Sequence, residues 1–226
     1  MHKHVVSAKL IRPTPGVLTP MSVSKLALIS YWRNSGLVED EKILQAFESV
    51  PRENFVLKQH KEDAYMDEPL PLMEGQTISQ PTTVAIMTQA AEIEEGQKVL
   101  EIGAGSGYQA AILSKLAGKE GNVFTIERIK KLADYARKNL KSYRNVSVIH
   151  ADGTKGYSKE EPYDRIVVTA AASELPKEIF KQLASNGIMV IPIEDHLFKI
   201  TKVRGRPKMQ DLGLFVFVPL VKGIAE

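Results

Sequence analysis

The chain has no cysteine among its 226 residues. This absence excludes disulfide bonds, thiolate nucleophiles and cysteine-ligated metals, so the chemistry must come from oxygen and nitrogen groups. Long apolar runs are also missing, because the longest one, residues 213–221, is far shorter than the roughly 20 residues that a membrane-spanning helix needs. The first twenty residues hold no apolar stretch of the kind that a secretory signal requires. We therefore expect a cytoplasmic protein.

Charge and histidine content point to no special partner. A formal net charge of +3 is too weak to indicate nucleic acid or a membrane surface. The histidines lack the spacing of a ligand set, so we expect no metal site. With 43% hydrophobic residues, the chain can bury a core in one large domain, or in one domain with an appendage.

The most informative feature that is present lies at residues 99–108, where an apolar strand runs directly into Gly103, Gly105 and Gly107. We call residues 103–107 the glycine loop. Glycine tolerates positive φ and has no Cβ, so the turn can be tight and a ligand can approach bare backbone. The helix that follows directs its amide groups at the same place. The pattern predicts a small-molecule cofactor site, and the alternative is a turn with a structural role only.

Details of this loop select among adenosine cofactors. A dinucleotide-binding loop would carry a third glycine where Tyr108 stands, and a P-loop would end in Gly-Lys-Ser/Thr, whereas the first lysine here is Lys115. The G-x-G-x-G spacing suits S-adenosylmethionine, which has no phosphates. Glu127 ends an apolar stretch twenty residues beyond Gly107. Its carboxylate is placed to accept hydrogen bonds from both ribose hydroxyls.

Strands and helices alternate beyond residue 97. The patterns predict strands over 98–102, 122–126, 146–150, 164–169, 187–193 and 215–220, helices over 107–117, 129–141 and 175–184, and a strand with a turn over 199–207. Such alternation is typical of an α/β fold with a doubly wound, mainly parallel sheet. We predict a flexible N-terminal arm (1–21), a helical and lid segment packed on the core (22–96), and a Rossmann-like core (97–226).

Two amphipathic helices are predicted before the core, one over residues 22–36 and one around Ile43, Leu44 and Phe47. Trp32 is interpreted as a core anchor. The proline-rich stretch 68–81 cannot be helical, and we call it the lid; Pro81 then starts the next helix. The basic residues of the 129–141 helix are interpreted as its solvated face, with contact to RNA as the alternative.

Two further segments follow predicted strands. Asp152 and Gly153 come after the strand over 146–150, so Asp152 is placed to accept a hydrogen bond from an adenine amino group. The alternative is that Asp152 only caps a turn with Gly153. The small residues 170–172 leave room for a methyl group and its acceptor.

Several motifs occur together: GQTISQP at 75–81, VLEIGAGSGYQ at 99–109, IER at 126–128, DG at 152–153, IVVTA at 166–170 and FVPL at 217–220. Together they resemble the protein-L-isoaspartate (D-aspartate) O-methyltransferase family. The match runs from about Ser22 to the C-terminus in family order. TISQP and FVPL are more specific than the glycine loop.

The resemblance implies a class I S-adenosylmethionine-dependent methyltransferase fold. It also implies methyl transfer from S-adenosyl-L-methionine, with S-adenosyl-L-homocysteine as product, to the α-carboxylate of L-isoaspartyl (and D-aspartyl) residues in damaged proteins. Ser79 falls on the family's active-site hydroxyl, with Thr77 beside it. The implied cofactor-binding residues are Glu101, Gly103, Gly105, Gly107, Glu127, Asp152, Gly153 and Thr169, and the implied substrate-binding residues are Ile78, Gln80, Pro81, Phe217, Val218 and Pro219. Glu194 and Phe198 depart from the family pattern, which usually has glycine and glutamine there.

The implied reaction needs little acid or base, because an isoaspartyl carboxylate is ionised near neutral pH. We expect the Ser79 hydroxyl to orient that carboxylate, and the alternative is that Ser79 caps the helix begun by Pro81. Isoaspartyl-containing peptides and proteins are the expected partners, and a monomer and a homo-oligomer stay open. A nucleic-acid methyltransferase is one rival function, although residues 169–172 (TAAA) lack an Asn/Asp-Pro-Pro-aromatic turn. A cofactor-binding module without turnover is the other.

Overall fold

The computed structural model describes residues 24–226, so the predicted arm over residues 1–21 lies outside the described residues. A two-stranded hairpin and a seven-stranded sheet form in this part of the chain. The strands are β1 (Leu70–Pro71), β2 (Thr77–Ile78), β3 (Lys98–Ile102), β4 (Asn122–Glu127), β5 (Val146–His150), β6 (Tyr163–Val168), β7 (Leu183–Ile193), β8 (His196–Val203) and β9 (Arg206–Leu214).

The large sheet has the order β5-β4-β3-β6-β7-β8-β9. Neighbouring strands are parallel from β5 through to β7, whereas β8 and β9 are added as antiparallel strands. The chain passes from β3 to β4 on one side and later places β6 on the other side of β3, so the strand order reverses at β3. This arrangement confirms the predicted doubly wound, mainly parallel sheet. Ligands in such sheets bind beyond the carboxyl ends of the strands, at the reversal.

Helices cover both faces of the sheet. They are α1 (Lys25–Ser35), α2 (Glu41–Ser49), α3 (Pro81–Ala91), α4 (Tyr108–Ala117), α5 (Lys130–Asn139) and α6 (Lys177–Lys181), with short 3-10 helices at Arg52–Asn54, Lys58–His60, Gly153–Lys155 and Ser158–Glu160.

Between residues 24 and 226, no helix has both the length and the apolar character needed to cross a membrane.

The central strand β3 is apolar because it is buried on both sides. Val99 belongs to the core cluster on one face, and Leu100 and Ile102 belong to the cluster on the other face. All three side chains are at most 2% exposed. Parallel strands between two helical layers have this near-continuous apolar character. Glu101 is therefore an exception, since it is a carboxyl side chain in the middle of the core.

Local sequence signals set the helix starts in the N-terminal part. The Ser24 hydroxyl caps α1 by accepting from the Ala27 amide (3.2 Å), and the Asp40 carboxylate caps α2 by accepting from the Lys42 amide (2.8 Å). Trp32 is 1% exposed, which confirms that it anchors the core. Its indole Nε1 donates to the Thr82 hydroxyl (2.7 Å) and so connects α1 to the start of α3.

The basic helix α5 has the predicted solvated face. Leu132 and Ala136 are buried, while Lys130 and Arg137 form exposed ion pairs with Asp134. The interpretation of these charges as surface groups is therefore confirmed. Such exposed pairs contribute about 0–1 kcal/mol each to stability.

The helix predicted over residues 175–184 is too long. α6 ends at Lys181, and β7 begins at Leu183, where the backbone pairs with Tyr163 of β6. The Lys202 ammonium from β8 donates to the carbonyls of Lys181 (2.9 Å) and Leu183 (2.5 Å). Sheet pairing and this lysine satisfy backbone groups that a longer helix would have used.

The strand predicted over residues 215–220 is also wrong. The last strand is β9, and the segment beyond it forms only an isolated bridge between Pro219 and Ala171. Proline has no N–H to donate to a ladder, and the Val216 side chain is 98% exposed. The Ala171 amide donates to the Val218 carbonyl (2.8 Å), and the Leu220 amide donates to the Ala171 carbonyl (2.7 Å). These bonds hold the 215–221 segment beside the loop that follows β6.

Candidate active site

A cleft of about 1700 Å³ opens at the carboxyl ends of the parallel strands. Its volume exceeds the range of about 300–1,000 Å³ that is usual for a site with one small ligand. The predicted site residues that line it are Thr77, Ile78, Ser79, Gln80, Gly103, Gly105, Glu127, Gly153, Thr169, Phe217, Val218 and Pro219. The cleft therefore brings the glycine loop, the lid and the 215–221 segment together, with room for a cofactor and a second molecule.

The glycine loop is held tightly against β4 and β6. The amides of Gly103 and Ala104 donate to the Ile126 carbonyl (2.8 and 3.0 Å). The Thr169 hydroxyl contacts the carbonyls of Ile102 (3.0 Å) and Gly103 (2.9 Å). Gly103 has a φ of 98°, and a Cβ there would collide with the Thr169 hydroxyl. Both the left-handed backbone and this close approach require glycine at position 103.

Glu127 lies directly beside the glycine loop at the end of β4. Its carboxylate accepts from the amides of Gly105 (2.9 Å) and Ile129 (3.0 Å), and the residue is 6% exposed. Each carboxylate oxygen can accept more than one hydrogen bond. The side chain is therefore fixed by backbone donors and still has acceptor capacity toward the cleft, which fits a ribose.

Asp152 and Gly153 are neighbours in the chain, but only Gly153 lines the cleft. The Asp152 carboxylate accepts from the Thr154 amide (3.0 Å), the Thr154 hydroxyl (2.7 Å) and the Gly223 amide (2.9 Å), and it does not line the cleft. Burial raises the pKa of Asp152, but these hydrogen bonds outweigh burial and leave it lowered. Gly153 lines the cleft and lies so close to Ile102 that a Cβ would approach its Cγ2 atom to 2.6 Å. The capping role of Asp152 is thus observed, and its contact with adenine stays a prediction.

Glu101 is completely buried behind the glycine loop and does not line the cleft. The Thr125 hydroxyl donates to its Oε2 atom, and its Oε1 atom has no hydrogen-bond partner within residues 24–226. Burial raises the pKa of Glu101 to about 8, against the opposing effect of the Thr125 bond, and the charge of Glu127 raises it further. Glu101 is therefore largely protonated at neutral pH.

A second buried oxygen without a hydrogen-bond partner among residues 24–226 belongs to Gln109, in the first turn of α4. Its amide nitrogen donates to the Thr88 hydroxyl (2.9 Å), and its Oε1 atom is buried without a partner in the described residues. Gln109 lines the cleft. An acceptor without a partner that lines the cleft beside the glycine loop fits a ligand that carries hydrogen-bond donors, such as the ammonium group of S-adenosylmethionine.

The lid is not helical, as its prolines predict, and it forms a hairpin. β1 and β2 pair antiparallel, with Leu70 opposite Ile78 and Pro71 opposite Thr77. At its turn, the Glu74 carboxylate forms an ion pair with Lys131 of α5 (2.6 Å). The lid is thus attached at its tip to the core.

Ser79 does not cap the helix that follows it. The N-cap residue of α3 is Gln80, whose side chain makes no capping bond, and the Thr82 amide is instead taken by the Asp67 carboxylate (2.9 Å). Ser79 is half-buried and lines the cleft. The capping interpretation is therefore wrong, and the Ser79 hydroxyl makes no hydrogen bond within residues 24–226. Pro81 is buried as the first residue of α3 and lies outside the lining, as does Gly107.

The turn between β7 and β8 bears one departure from the family pattern. Glu194 has a φ of 55°, which is the left-handed conformation that favours glycine. Its amide donates to the Ala172 carbonyl (2.8 Å), and the Phe215 amide donates to the Asp195 carbonyl (2.8 Å). The turn keeps a glycine-like backbone without glycine and supports the start of the 215–221 segment.

Sequence reasoning misses two groups of residues at this site. Tyr31 and Ser35 of α1 line the substrate side of the cleft, although their spacing predicts only a helix packed on the core. Arg52 is buried behind Ser79, and its guanidinium donates to the Ser79 carbonyl (2.9 Å). The sequence gives no signal for Arg52, because the polar residues Glu53 and Asn54 directly follow it.

Comparisons of the sequence with known proteins agree with one another. A sequence model of the protein-L-isoaspartate(D-aspartate) O-methyltransferase family matches residues 23–225. A protein-L-isoaspartate O-methyltransferase of Ignicoccus hospitalis is 46% identical over 209 residues, which are 89% of this chain and 99% of that protein. The enzyme of that name from Staphylothermus marinus is 47% identical over 207 residues, with coverage of 86% and 92%.

Solved structures give the same result. A Plasmodium falciparum chain described as a protein-L-isoaspartate O-methyltransferase in complex with S-adenosyl-L-homocysteine superposes with a TM-score of 0.78 at 27% identity, covering 87% of this chain and 97% of that one. A second protein-L-isoaspartate O-methyltransferase has a TM-score of 0.81 at 28% identity, with coverage of 89% and 67%. Because the family model spans nearly all of the chain and relatives above 45% identity match along most of their length, this chain belongs to the protein-L-isoaspartate(D-aspartate) O-methyltransferase family.

Proposed function

We propose that this protein transfers a methyl group from S-adenosyl-L-methionine to the carboxylate of L-isoaspartyl and D-aspartyl residues in damaged proteins, as a repair enzyme. The observation that carries the proposal is the shared cleft, in which Ser79 of the lid faces the same space as the glycine loop and Glu127. Membership of the family gives independent support.

The proposed cofactor site lies between the glycine loop and the ends of β4 and β5. Glu127 accepts from the ribose hydroxyls, the backbone at Gly103 and Gly105 lies against the methionine part, and Gly153 leaves space for adenine. Thr169 holds this backbone through its bonds to the carbonyls of Ile102 and Gly103, and Gly107 closes the loop by donating to the Ala104 carbonyl. Glu101 lies behind the loop, and Asp152 caps the turn that begins at Gly153. When bound, S-adenosyl-L-methionine supplies an electrophilic methyl group on a sulfonium centre.

The proposed role of Ser79 is to orient the substrate carboxylate. That carboxylate is ionised near neutral pH, so no general base is required. The Ser79 hydroxyl donates to one carboxylate oxygen and directs the other toward the methyl group, and Thr77 assists from the same strand end. A neutral donor suits this step, because a directly bound cation would hold the carboxylate more tightly in the ground state than in the transition state, where its charge is being neutralised. Good orientation contributes up to about 7–11 kcal/mol in favourable systems.

The proposed peptide path runs between the lid and the 215–221 segment. Ile78 and Gln80 form one wall, and Phe217, Val218 and Pro219 form the other. Pro81 contributes by fixing the start of α3. We further propose that the enzyme acts in the cytoplasm on proteins and peptides and not on nucleic acid.

The test is a methyl-transfer assay with labelled donor on three substrates: a peptide that contains isoaspartate, the same peptide with aspartate, and RNA. We expect labelling of the isoaspartyl peptide alone, as a base-labile methyl ester. Labelling of RNA alone would replace the proposal by a nucleic-acid methyltransferase. Binding of the donor without transfer to any of the three would indicate a binding module.

A further inference from the structure

Arg52 is a buried charged side chain that the proposed mechanism does not use. It is 0% exposed, it does not line the cleft, and no salt bridge within residues 24–226 includes it. Its guanidinium donates to two backbone carbonyls, from Nη1 to Ala64 and from Nη2 to Ser79 (2.9 Å). The Nε atom has no partner in the described part of the chain.

The surroundings of Arg52 do not compensate its charge. Burial lowers the pKa of Arg52, with weaker opposing effects from Tyr108, the Asp67 carboxylate and Tyr65. Arginine nevertheless stays protonated in proteins, so the positive charge persists. A buried charge without a close counter-ion is costly, and an apolar residue of similar size would avoid that cost. The charge therefore needs a functional reason.

The position of Arg52 supplies such a reason. Its guanidinium carbon lies 5.8 Å from the centre of the Tyr108 ring, and Tyr108 directly follows the glycine loop. One planar group thus contacts the backbone of Ser79 in the lid, the backbone of Ala64 and the first residue of α4. It connects the two parts of the cleft that have to be aligned for transfer.

We propose that Arg52 is a positioning residue for methyl transfer, which fixes the Ser79 backbone from behind and whose buried charge favours entry of the substrate carboxylate into the cleft. The inference rests on the proposed function. Arg52 donates to the Ser79 carbonyl and does not line the cleft, so its charge attracts the substrate carboxylate without forming a direct ion pair with it. The hydroxyl of Ser79 stays the only group of this pair that touches the substrate.

The test compares Arg52→Gln, which removes the charge, with Arg52→Lys, which keeps the charge but loses the planar fork. We expect Arg52→Gln to lower kcat about 10- to 100-fold and to raise KM for the isoaspartyl peptide. Arg52→Lys should restore KM and only part of kcat. The Kd for S-adenosyl-L-methionine, measured by calorimetry, should change less than about twofold in both variants.

Arg165→Gln is the matched control. Arg165 is also buried (8% exposed) and also donates to backbone carbonyls, those of Glu92 (2.9 Å) and Asp164 (3.0 Å), but it lies away from the lid. This variant should lose stability and keep kcat and KM. A double-mutant cycle with Ser79→Ala adds a second readout: Arg52→Lys should lower kcat much less in the Ser79→Ala background, because both changes disable the same hydroxyl.

The outcomes separate the inference from the proposed function. An inactive wild-type protein overturns both. An active wild type with Arg52→Gln and Arg52→Lys at wild-type kcat and KM overturns the inference alone, as does a loss of donor affinity as large as the loss of kcat. If Arg52→Gln does not fold, Arg52→Lys decides: reduced kcat with retained donor affinity supports the inference, and unchanged kcat overturns it.

Discussion

The two ends of the cleft each bury an ionisable side chain, and they differ in how the charge is managed. Glu101, behind the glycine loop, can lose its charge by taking up a proton, since its pKa is raised to about 8. Arg52, behind the lid, stays charged and is held by backbone carbonyls. The cofactor end thus has a neutral buried acid, and the substrate end has a permanent buried cation, which suits an anionic substrate.

The two ends also differ in how they are assembled. The cofactor end is formed by adjacent parallel strands and the turns directly after them, so its geometry follows from the sheet. The substrate end combines α1, the lid, the turn between β7 and β8 and the 215–221 segment, which are far apart in sequence. Side-chain bonds to backbone, such as that from Arg52 to Ser79, hold these distant segments in register.

The largest expected effect concerns the buried acid. In unfolded chains Glu101 loses its proton near pH 4.5, whereas in the folded protein it keeps the proton to about pH 8. Between these values the folded state binds one proton more, so this group makes the folding equilibrium constant fall about tenfold per pH unit as pH rises. Glu101→Gln should remove that contribution. Urea unfolding of both proteins across this pH window measures it, and parallel pH curves would contradict the burial argument.

The next effect concerns the lid. Ser79→Ala should lower kcat about 10²- to 10³-fold, as loss of a well-placed donor does in other active sites. The Kd for the methyl donor should stay within about twofold of wild type, because Ser79 belongs to the substrate end. Ser147→Ala, on the exposed part of β5, is the matched control. Equal losses in kcat and donor affinity would show that the two ends are not independent.

The reverse pattern is expected at Glu127. Glu127→Ala removes charged acceptors for the ribose and should raise the Kd for the methyl donor about 10- to 100-fold. At saturating donor, kcat should fall no more than about threefold, since the carboxyl-orienting residues are intact. Calorimetry and steady-state kinetics give the two values, and Glu178→Ala, a remote exposed glutamate, serves as control. An unchanged Kd would argue against a ribose contact.

The smallest effect is expected at the turn between β7 and β8. Glu194→Gly removes the strain of a left-handed backbone, which costs about 1–2 kcal/mol in residues other than glycine. The same change raises the conformational entropy of the unfolded state, which lowers the free energy of unfolding by about 0.5–1 kcal/mol. The free energy of unfolding should therefore rise by no more than about 1.5 kcal/mol. Chemical denaturation measures it. A marked loss of stability would mean that the Glu194 side chain has a role of its own at the substrate end.

The sequence by itself determined the cofactor end. Its pattern is an apolar strand followed by glycines, with an acidic residue twenty positions beyond them. The geometry of this end follows from the local backbone and from the regular pairing of β3 with β4, so Gly103 and Glu127 are recognisable from their spacing. The family resemblance names residues of the substrate end, but only the tertiary structure decided how its segments are assembled. The segment 215–220 has strand-like composition, yet contacts with Ala171 make it a wall of the cleft. Arg52 has no local pattern at all, because its bond to Ser79 joins residues that folding alone brings together.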